Sequence, residues 1–522
     1  MRIDVHPVAR MRGTTPLNVP GALAPLLDAL GATSVDLRRV RVVCDWIQYR
    51  SNFAEPVACR PVLAEHTAGH RSPAAGQQPA EGALEVALDL RRLTEAEVTA
   101  GAVKEALAAY AGPAAGSGPS GAEGQAVPPG QEGREGQECA GRIMLEPWLP
   151  ATGSCIWRFN TLYWQALSRW EQVTGREYEQ ALPGGQSDAR QSDPVRELIL
   201  ELFRVWDELD ARHALPEELY VVELGVGNGN QAATWLDEFA ELDRAHGRDY
   251  YRRLHYLMGD YSAHVLDRAR QAVARHGDTV STLVLEATRP QLTLGFLRGK
   301  AFCVYISNVY DNLPSDEVAV IRGRIHLVQT RSFLGGAAAD KIAATFGIRR
   351  AEITPLTERL LRIGPELLSE SVPEKFPDTE RAVLFWQAVW AALRQHERYV
   401  PLEGLDTYHV TPSLTGEILR PLLAEGDVRM HVSNGTLSSF ADTLPLLHPF
   451  GRVVCHDLFT TGSHQYRTGF YGPGKYDGST VNWVNGPLLQ LFASRRGFDV
   501  AFTEFKQRPG SNVKTLTAQV RD

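Results

Sequence analysis

Cysteine is scarce in this sequence, with six residues among 522 and no CxxC pair. Scattered thiols in a long chain argue against a disulfide framework and favour a reducing compartment. The N-terminus lacks the apolar run of a secretory signal peptide. No uncharged apolar stretch reaches the roughly 18 residues needed to span a membrane. These absences predict a cytoplasmic protein that makes no contact with a membrane.

An excess of positive charge is also missing, since the formal net charge is -8 at pH 7. A dedicated nucleic-acid-binding protein is usually basic, so the charge argues against a nucleic-acid partner. His448, His456 and His464 do not have the spacing of known metal ligands, and no metal site is predicted. The hydrophobic fraction of 43% is that of a globular protein, and a chain of this length predicts two or three domains.

Residues 1–112 are predicted to form a small N-terminal α+β domain. Val35–Cys44 and Leu84–Leu90 carry β-branched residues and alternating polarity, which is typical of strands. Thr94–Tyr110 has apolar residues at near-helical spacing and is predicted to be a helix. This unit carries no motif that predicts a function.

A low-complexity run separates this unit from the rest of the chain. Residues 113–141 are rich in glycine, proline and small polar residues, cannot bury apolar surface, and are predicted to be a linker. Residues 142–522 then form the main domain, and its first segment is rich in aromatic residues. A core-facing stripe explains them better than a platform for substrate, because buried aromatic side chains dominate protein cores. These residues are Trp157, Phe159, Tyr163, Trp164 and Trp170.

Strand and helix patterns alternate from Tyr220 onward, which predicts a Rossmann-like α/β fold with a mostly parallel sheet. The alternation is lost at about residues 315–426, which contain helical patterns such as Arg381–His396 and are predicted to be a helical insertion. Phe498–Phe505 and Lys514–Val520 predict a C-terminal antiparallel hairpin. The strands predicted before this hairpin are Tyr220–Leu224, Leu254–Met258, Thr282–Leu285, Ala301–Ile306, Val428–Val432 and Arg452–Cys455.

A glycine-rich turn follows the first of these strands, in the string VVELGVGNGN that begins at Val221. Gly225, Gly227 and Gly229 let the backbone turn sharply and let a ligand approach closely. The helix that follows presents free N–H groups and the positive end of its dipole. Dinucleotide-binding turns carry GxGxxG. The spacing here is GxGxG, with Glu223 two residues before the first glycine.

The form E-x-G-x-G-x-G resembles the signature of class I S-adenosylmethionine-dependent methyltransferases. The resemblance implies that Glu223, Gly225, Gly227 and Gly229 belong to a site for S-adenosylmethionine. It also implies that residues 142–522 form a Rossmann-like methyltransferase domain. A plain tight turn is the structural alternative for the glycines.

Acidic residues stand at the ends of the next two predicted strands. Asp260 follows the second strand, where a carboxylate can accept hydrogen bonds from both hydroxyls of a ribose. Glu286 follows the third strand and is placed to contact an adenine amino group. The alternative role for Asp260 is to cap the helix that follows.

Two further polar residues follow the fourth strand. Asn308 and Asp311 lie where ligands bind in open α/β sheets, at the carboxyl edge. They are the predicted wall of the reacting centre, and a loop capped by their side chains is the alternative. A nucleophile that must lose a proton needs a nearby base. Asp311 is predicted to be that base or to orient the nucleophile, so Asp311→Asn is expected to keep cofactor affinity and lose turnover.

Several segments resemble, in order, those of MidA-type methyltransferases, which are related to the mitochondrial complex I assembly arginine methyltransferase. The segment SNVYDNLP at Ser307–Pro314 resembles the family's NEFFDALP, and Val432–Gly435 resembles its EVNP. Gly451–Phe459 resembles the strand ending LLIDYG, with Asp457 at the acid, and Asp477–Trp483 resembles DITAHVDF. The chain departs from the family at Asn308, where the family has a glutamate.

The resemblance implies methyl transfer from S-adenosylmethionine to a protein side chain or a small molecule. A non-catalytic assembly or scaffold protein that keeps the cofactor site is one alternative, because fold does not determine function. A dinucleotide-dependent oxidoreductase is the other, and the glycine spacing argues against it.

A near match to a phosphate-binding loop lies at Gly469–Tyr476. The pattern GxxxxGK[ST] fails at Tyr476, where magnesium needs the hydroxyl of serine or threonine, and the segment contains Pro473. We therefore do not predict binding of a nucleoside triphosphate. A loop over the cofactor site is the better explanation of the segment.

Overall fold

The computed structural model describes residues 141–178, 192–424, 426–467 and 472–521, together with short N-terminal segments. These segments are residues 2–6, 26–28, 30–31, 38, 40–45, 51–55, 57–61, 84–89 and 106. Mixed sheets and helices make the chain an α/β protein, as predicted. No helix within the described part of the chain is both long and apolar enough to cross a bilayer.

Four of the N-terminal strands form one small sheet in the order β1-β2-β5-β4, with only β4 antiparallel to its neighbour, whereas β3 pairs with Gly474 and Lys475. The strands are β1 (Arg2–His6), β2 (Val40–Asp45), β3 (Ser51–Asn52), β4 (Val57–Pro61) and β5 (Leu84–Asp89). The predicted helix at Thr94–Tyr110 and the predicted linker lie almost entirely outside the described residues. Phe53, just after β3, packs in a core formed by residues of the main region.

The main region supplies the remaining elements, whose bounds follow in chain order. Its helices of the described residues are α1 (Cys155–Gln165), α2 (Leu167–Thr174), α3 (Ser192–Ala211), α4 (Asn230–Ala245), α5 (Tyr250–Arg253), α6 (Ala263–Ala272), α7 (Gln291–Leu294), α8 (Gly336–Phe346), α9 (Arg350–Ser371), α10 (Thr379–Ala392), α11 (Arg420–Leu423), α12 (Asn434–Thr443) and α13 (Gly486–Arg495). Its strands of 4 or more residues are β8 (Leu219–Leu224), β9 (Leu254–Asp260), β10 (Val280–Val284), β11 (Ala301–Ser307), β12 (Glu317–Ile321), β13 (Arg324–Leu334), β14 (Leu393–Pro401), β17 (Val428–His431), β18 (Leu447–Asp457), β23 (Phe498–Glu504) and β24 (Lys514–Val520). The shorter strands are β6 (Ile143–Met144), β7 (Leu149–Pro150), β15 (His409–Thr411), β16 (Leu414–Thr415), β19 (Phe459–Thr460), β20 (Gly474–Tyr476), β21 (Ser479–Val481) and β22 (Val484–Asn485).

The central sheet has the order β10-β9-β8-β11-β18-β24-β23. Strands β8 to β11 and β18 run parallel, whereas β24 is antiparallel to both of its neighbours. After β8 the chain moves outward to β9 and β10, and it returns to the other side of β8 as β11. The order of the strands therefore reverses between β8 and β11, and in open α/β sheets a ligand binds beside such a switch, at the carboxyl ends of the strands.

Apolar side chains cover both faces of this sheet. On one face, Val221 of β8 and Phe302 of β11 pack with α3 and α4 in one cluster. On the other face, Val222 and Val304 pack with α12 and α13 in a second cluster. Strands buried on both faces are expected to be almost continuously apolar, as LYVVEL and AFCVYIS are. Glu223 is the exception to this pattern, because it is an acidic residue at a buried position of the strand.

The inserted region contains strands as well as helices, so the expectation of a helical insertion is incomplete. An antiparallel sheet of order β14-β13-β12-β17 forms here, with β6 and β7 also paired to β13. The helical pattern predicted over Arg381–His396 stops at Ala392, and β14 begins at Leu393. The last residues of the pattern instead pair with β13, because cross-strand partners override local helical periodicity.

Helices α1 and α2 lie against α8, α9 and α10 of the insertion. Four of the aromatic residues predicted to face a core do so: Trp157, Phe159, Tyr163 and Trp170 are buried in one apolar cluster. Trp164 is partly buried at the edge of the same cluster. The first two helices of the main region are thereby held in place beside the central sheet.

Candidate functional site

The turn after β8 is built from glycines in left-handed backbone conformations. The φ angles are 76° at Gly225, 56° at Gly227 and 80° at Gly229. A residue with a Cβ atom adopts this region only at a cost, whereas glycine does so freely. Gly229 is the N-cap of α4 and offers no side chain to cap it, so the first N–H groups of this helix face the turn.

The three glycines have different neighbours. An ideal Cβ on Gly229 would lie 2.5 Å from Cα of Ala269, so this glycine allows α4 to pack against α6. A Cβ on Gly225 would collide with the side chain of Val309, in the turn after β11. A Cβ on Gly227 would lie 2.6 Å from the hydroxyl oxygen of Tyr178. Packing therefore requires glycine at 229, whereas Gly227 faces the side chain that covers the turn.

Asp260, at the end of β9, is hydrogen-bonded to the glycine turn. Its Oδ2 accepts from the backbone N–H of Gly227 at 3.2 Å, and its Oδ1 accepts from Ser262 N–H at 3.0 Å. Burial raises its pKa to about 6. Ser262 in turn caps α6, as predicted, by accepting from Val265 N–H. The carboxylate predicted to meet a ribose thus lies directly against the glycine turn.

The other two predicted acids occupy different surroundings. Glu223 is 2% exposed, and its Oε2 accepts from the Tyr256 hydroxyl at 2.7 Å. Burial raises the pKa of Glu223 to about 8, against the opposing effect of that hydrogen bond. Glu286 is exposed and accepts from the Thr288 hydroxyl. Its negative charge adds to the effect of burial in raising the pKa of Tyr261, the residue after Asp260.

The turn after β11 holds Asn308 and Asp311 in contrasting positions. Asn308 is exposed and has a φ of 52°, a left-handed conformation that asparagine tolerates better than most residues. Asp311 is 5% exposed, and its Oδ1 accepts from the side-chain amide of Asn312 at 2.6 Å. Of the two residues predicted to face the reacting centre, one is therefore at the surface and one is buried.

Asp457, at the end of β18, holds this turn. Its Oδ2 accepts from the backbone N–H groups of Val309, Tyr310 and Asp311 at 3.1, 2.8 and 3.3 Å. Its Oδ1 accepts from Leu458 N–H at 2.7 Å. The sequence pointed to Asp457 only through the family resemblance, because its partners lie 146 to 148 residues earlier in the chain.

Asp311 and Asp457 form a buried carboxyl pair. Burial, followed by the negative charge of Asp457, raises the pKa of Asp311 well above its usual range. Burial also raises the pKa of Asp457, but only to about 6, because four backbone N–H groups stabilise its charged form. The shared proton therefore resides on Asp311. A protonated Asp311 accepts no further proton near neutral pH, so the pair supports the orienting role of Asp311 and not that of a base.

Two asparagines that the sequence analysis missed complete this wall. Asn160 of α1 donates to the carbonyl of Asn312 at 2.8 Å and accepts from Thr480 N–H at 2.9 Å. Asn482 donates its backbone N–H to the carbonyl of Asp311 at 2.7 Å. The segment Asp477–Trp483 that resembles a family motif therefore reaches the turn after β11. The position of Asn160 among the buried apolar residues of α1 is the signal that could have identified this contact.

Two buried polar atoms beside Asp311 have no hydrogen-bond partner in the part of the chain that the structure describes. They are Oδ1 of Asn312 and Nδ2 of Asn482. A buried polar group without a partner is costly, and such groups are commonly satisfied by water or a ligand. An acceptor atom and a donor atom are thus available next to the carboxyl pair.

The lysine of the near match to a phosphate-binding loop has another role. The ammonium of Lys475 is buried and donates to the carbonyls of Trp390 and Leu393 at 2.6 and 2.7 Å. These carbonyls lie at the C-terminal end of α10, where a cation is favourable. Lys475 itself lies on β20, not at the start of a helix. Among the described residues, no cluster of three or more His, Cys, Asp or Glu is arranged to hold a metal ion.

No protein-family model matches this chain, and no curated protein sequence is significantly similar to it. Several solved structures have weak similarity. An uncharacterized protein from Burkholderia thailandensis is 13% identical, with 71% of this chain and 87% of that chain covered and a TM-score of 0.41. A likely methyl transferase from the same organism, bound to S-adenosyl-homocysteine, is 14% identical over 71% and 88% of the chains, with a TM-score of 0.41. The DszA carbon methyltransferase is 13% identical over 71% and 67%, with a TM-score of 0.30.

Proposed function

We propose that this protein is an S-adenosylmethionine-dependent methyltransferase with a Rossmann-like main domain. The acceptor that we propose is a protein side chain or a small molecule. The observation that carries this proposal is the turn after β8. Three left-handed glycines lie there beside the switch in strand order, and the carboxylate of Asp260 is bonded to the middle one.

The residues present fit this cofactor. Gly227 has a left-handed φ, and a Cβ there would displace the Tyr178 hydroxyl. The N–H of Asn230 donates to Asn228, and the N–H groups that follow at the start of α4 favour an anionic group of a ligand. Asp260 already accepts from Gly227 N–H, and the oxygens of a carboxylate have room for further hydrogen bonds from a ribose. We propose that Glu286, exposed beside Tyr261, faces the adenine.

When it is bound, S-adenosylmethionine supplies an electrophilic methyl group. The residues of the chain then have to hold the acceptor and exclude water, since positioning is a large part of such catalysis. We propose that Asn312 and Asn482 hold the acceptor through the two buried atoms that have no protein partner. Asp311, bonded to Asn312, orients that side chain. Asp457 keeps the whole turn against the glycines by holding Val309, which contacts Gly225.

The relation to MidA-type methyltransferases is the finer proposal. It is supported by Asp457 and the segment from Asp477 to Trp483, both of which the resemblance named and both of which meet at the turn after β11. Asn308, which stands where the family has a glutamate, is exposed and supplies no carboxylate to a cationic acceptor.

Two alternatives keep the same fold. A dinucleotide-dependent oxidoreductase would also use the glycine turn, and the GxGxG spacing argues against it. A scaffold protein would retain the cofactor site without turnover. The buried donor and acceptor atoms beside Asp311 favour an enzyme, because they could bind an acceptor molecule close to the glycine turn.

The first experiment is a calorimetric titration of the purified full chain with S-adenosylmethionine and, separately, with NAD. We expect micromolar binding of S-adenosylmethionine and none of NAD. Gly227→Val should abolish binding, because its Cβ would enter the space at Tyr178. The matched control is Gly299→Val, which has the same left-handed strain (φ 70°) but open space around it. Binding of NAD without binding of S-adenosylmethionine would indicate a dinucleotide-dependent oxidoreductase instead.

A product assay separates the enzyme from the scaffold. A cell extract is incubated with the protein and with S-adenosylmethionine carrying a radiolabelled methyl group, and macromolecules and small molecules are then counted apart. After the unreacted cofactor is removed, we expect more label in one fraction with the wild type than with Gly227→Val, which sets the background of the extract. Binding of the cofactor without any labelled product above that variant would favour the scaffold.

A further inference from the structure

Tyr178 lies over the middle glycine of the turn after β8. Its hydroxyl oxygen is 2.6 Å from the place that a Cβ on Gly227 would occupy. The backbone N–H of the same glycine is bonded to Asp260. The Tyr178 hydroxyl and the Asp260 carboxylate therefore approach Gly227 from two sides. The side chain of Tyr178 is half-buried, so part of it still faces solvent.

The position of Tyr178 is set by α2 and α6. Its backbone N–H donates to Oε1 of Glu171 at 3.0 Å, and Oε2 of the same carboxylate pairs with Arg268 of α6 at 2.7 Å. Glu171 is buried, so this ion pair is shielded from water on the side of α2. The Tyr178 ring packs edge to face with Trp164, with 5.7 Å between the centroids. These contacts tie the end of α2 to the half of the sheet that carries Asp260.

A second contact closes the same edge from α1. The side-chain amide of Gln165 donates to the hydroxyl of Tyr261 at 2.9 Å. Tyr261 directly follows Asp260, so α1 and the residues after α2 reach the end of β9 from both sides. The polar groups at this edge that could bind a ligand, Asp260 and the N–H groups of the turn, lie beneath that cover.

We propose that Tyr178 is a cofactor-contacting residue, which donates a hydrogen bond from its hydroxyl to an oxygen of S-adenosylmethionine and covers it with its ring. The inference rests on the proposed function and adds to it a residue outside the βα units. A ligand that lies along Gly227 and reaches Asp260 passes within contact distance of this hydroxyl. The electron-rich face of the ring also favours a sulfonium cation.

The test compares Tyr178→Phe and Tyr178→Ala with the wild-type full chain in calorimetric titrations with S-adenosyl-homocysteine and S-adenosylmethionine. We expect Tyr178→Phe to weaken binding about fivefold, since one neutral hydrogen bond is lost. Tyr178→Ala should weaken it about 30-fold or more, because the covering ring is lost as well. If the ring meets the sulfonium, the loss in Tyr178→Ala is larger for S-adenosylmethionine than for S-adenosyl-homocysteine.

The matched control is Tyr220→Ala, at the other end of β8. Tyr220 is also half-buried, and its hydroxyl donates to the side chain of Glu218 at 2.6 Å. This variant should bind both ligands like the wild type. Circular dichroism and thermal melting without ligand show whether the variants fold, and Tyr178→Phe, which keeps the ring, carries the test if Tyr178→Ala does not.

The outcomes separate the two proposals. Wild-type affinity in both Tyr178 variants, with tight binding by the wild type itself, would overturn the role of Tyr178 and leave the proposed function standing. No binding of either ligand by the wild type would overturn both. Equal weakening in Tyr220→Ala and Tyr178→Ala would show a general loss of stability and would also overturn the specific contact.

Discussion

Two regions of this molecule bury carboxylates, and they neutralise them differently. In the carboxyl pair, Asp311 and Asp457 lie together beneath the turn after β11, and one proton is shared between them. In the insertion sheet, Arg429 is 1% exposed and binds two glutamates. Its Nε donates to Glu317 at 2.5 Å, and its two terminal nitrogens donate to Glu397 at 2.7 Å each.

In the second region, the arginine network, the positive charge of Arg429 offsets the free-energy cost of burying negative charge. Arg429 also donates to the Tyr399 hydroxyl at 3.0 Å, and the two glutamates raise its pKa further. His431 lies in the same network, and burial lowers its pKa, so it is neutral near pH 7. The two glutamates favour the charged form of Arg429, which suits a structural role.

The carboxyl pair offsets the same free-energy cost by binding a proton, which removes one of its two negative charges. Two like charges cannot both ionise in a buried site, so the number of bound protons depends on pH. The pair also lies beside the glycine turn and beside Oδ1 of Asn312 and Nδ2 of Asn482, which have no hydrogen-bond partner among the described residues. The carboxyl pair, whose number of bound protons depends on pH, therefore lies at the candidate site, whereas the carboxylates paired with an arginine lie in the insertion sheet.

The largest effect is expected from Arg429→Leu, which breaks the arginine network. Removing one partner of a buried ion pair leaves an uncompensated charge and costs about 3–5 kcal/mol. Urea unfolding of the variant measures this loss. The control is Arg420→Leu, whose exposed pair with Glu417 is screened by water, so this variant should unfold at nearly the same urea concentration as the wild type. Similar losses in the two variants would show that the network does not stabilise the fold through its charges.

Asp457→Asn should give the next largest loss of stability, about 2–3 kcal/mol, because hydrogen bonds to a charged acceptor are lost. An amide has only one acceptor oxygen, whereas N–H groups approach both oxygens of Asp457. The NH₂ group of the substituted side chain would therefore face a backbone N–H group, so two donors would meet. The free energy of unfolding measures the loss, and a variant as stable as the wild type would contradict the assignment of the charge to Asp457.

Glu223 extends the comparison to a buried carboxyl that, among the described residues, contacts neither an arginine nor a second carboxyl. Its folded-state pKa of about 8 lies above the ordinary value of 4.5, so the folded protein binds the extra proton. This contribution to stability is complete below about pH 4.5 and is lost as the pH rises through 8. In Glu223→Gln, the decline of stability between these limits should be smaller by up to about 1.4 kcal/mol per pH unit. Chemical unfolding at several pH values measures the slope, and an unchanged slope would show that Glu223 is ionised in the fold.

The smallest effect is expected from Asp311→Asn. An amide has nearly the shape of a protonated carboxyl and can donate to Asp457 in the same way, so the cost should be below about 1 kcal/mol. Affinity for S-adenosylmethionine should be unchanged. From the sequence, Asp311 is either a base or a residue that orients the nucleophile, and this substitution is expected to abolish turnover; with the proton on Asp311, any loss of turnover would come from the orienting role. A loss as large as that of Asp457→Asn would reverse the assignment within the pair.

Much of the central sheet follows from local pattern. Lys514–Val520 was predicted as a strand and is β24 with the same bounds, and Ser262 caps α6 as its side chain predicts. The expectation was incomplete where local pattern and pairing disagree. The helical periodicity that begins at Arg381 continues into residues that form β14 and pair with β13. Periodicity reports only neighbouring residues, so it does not reveal a strand partner that is distant in the sequence.

The sequence by itself determined the glycine turn, its position between β8 and α4, and the acid at the end of β9. These depend on backbone freedom and on residues close together in the chain. Only the tertiary structure decided that Asn160 reaches Asn312 over 152 residues and that Asp311 meets Asp457 over 146. It also decided where the proton of that pair resides. A pKa depends on burial and on nearby charges and donors, and residues far apart in the sequence supply these only once the chain has folded.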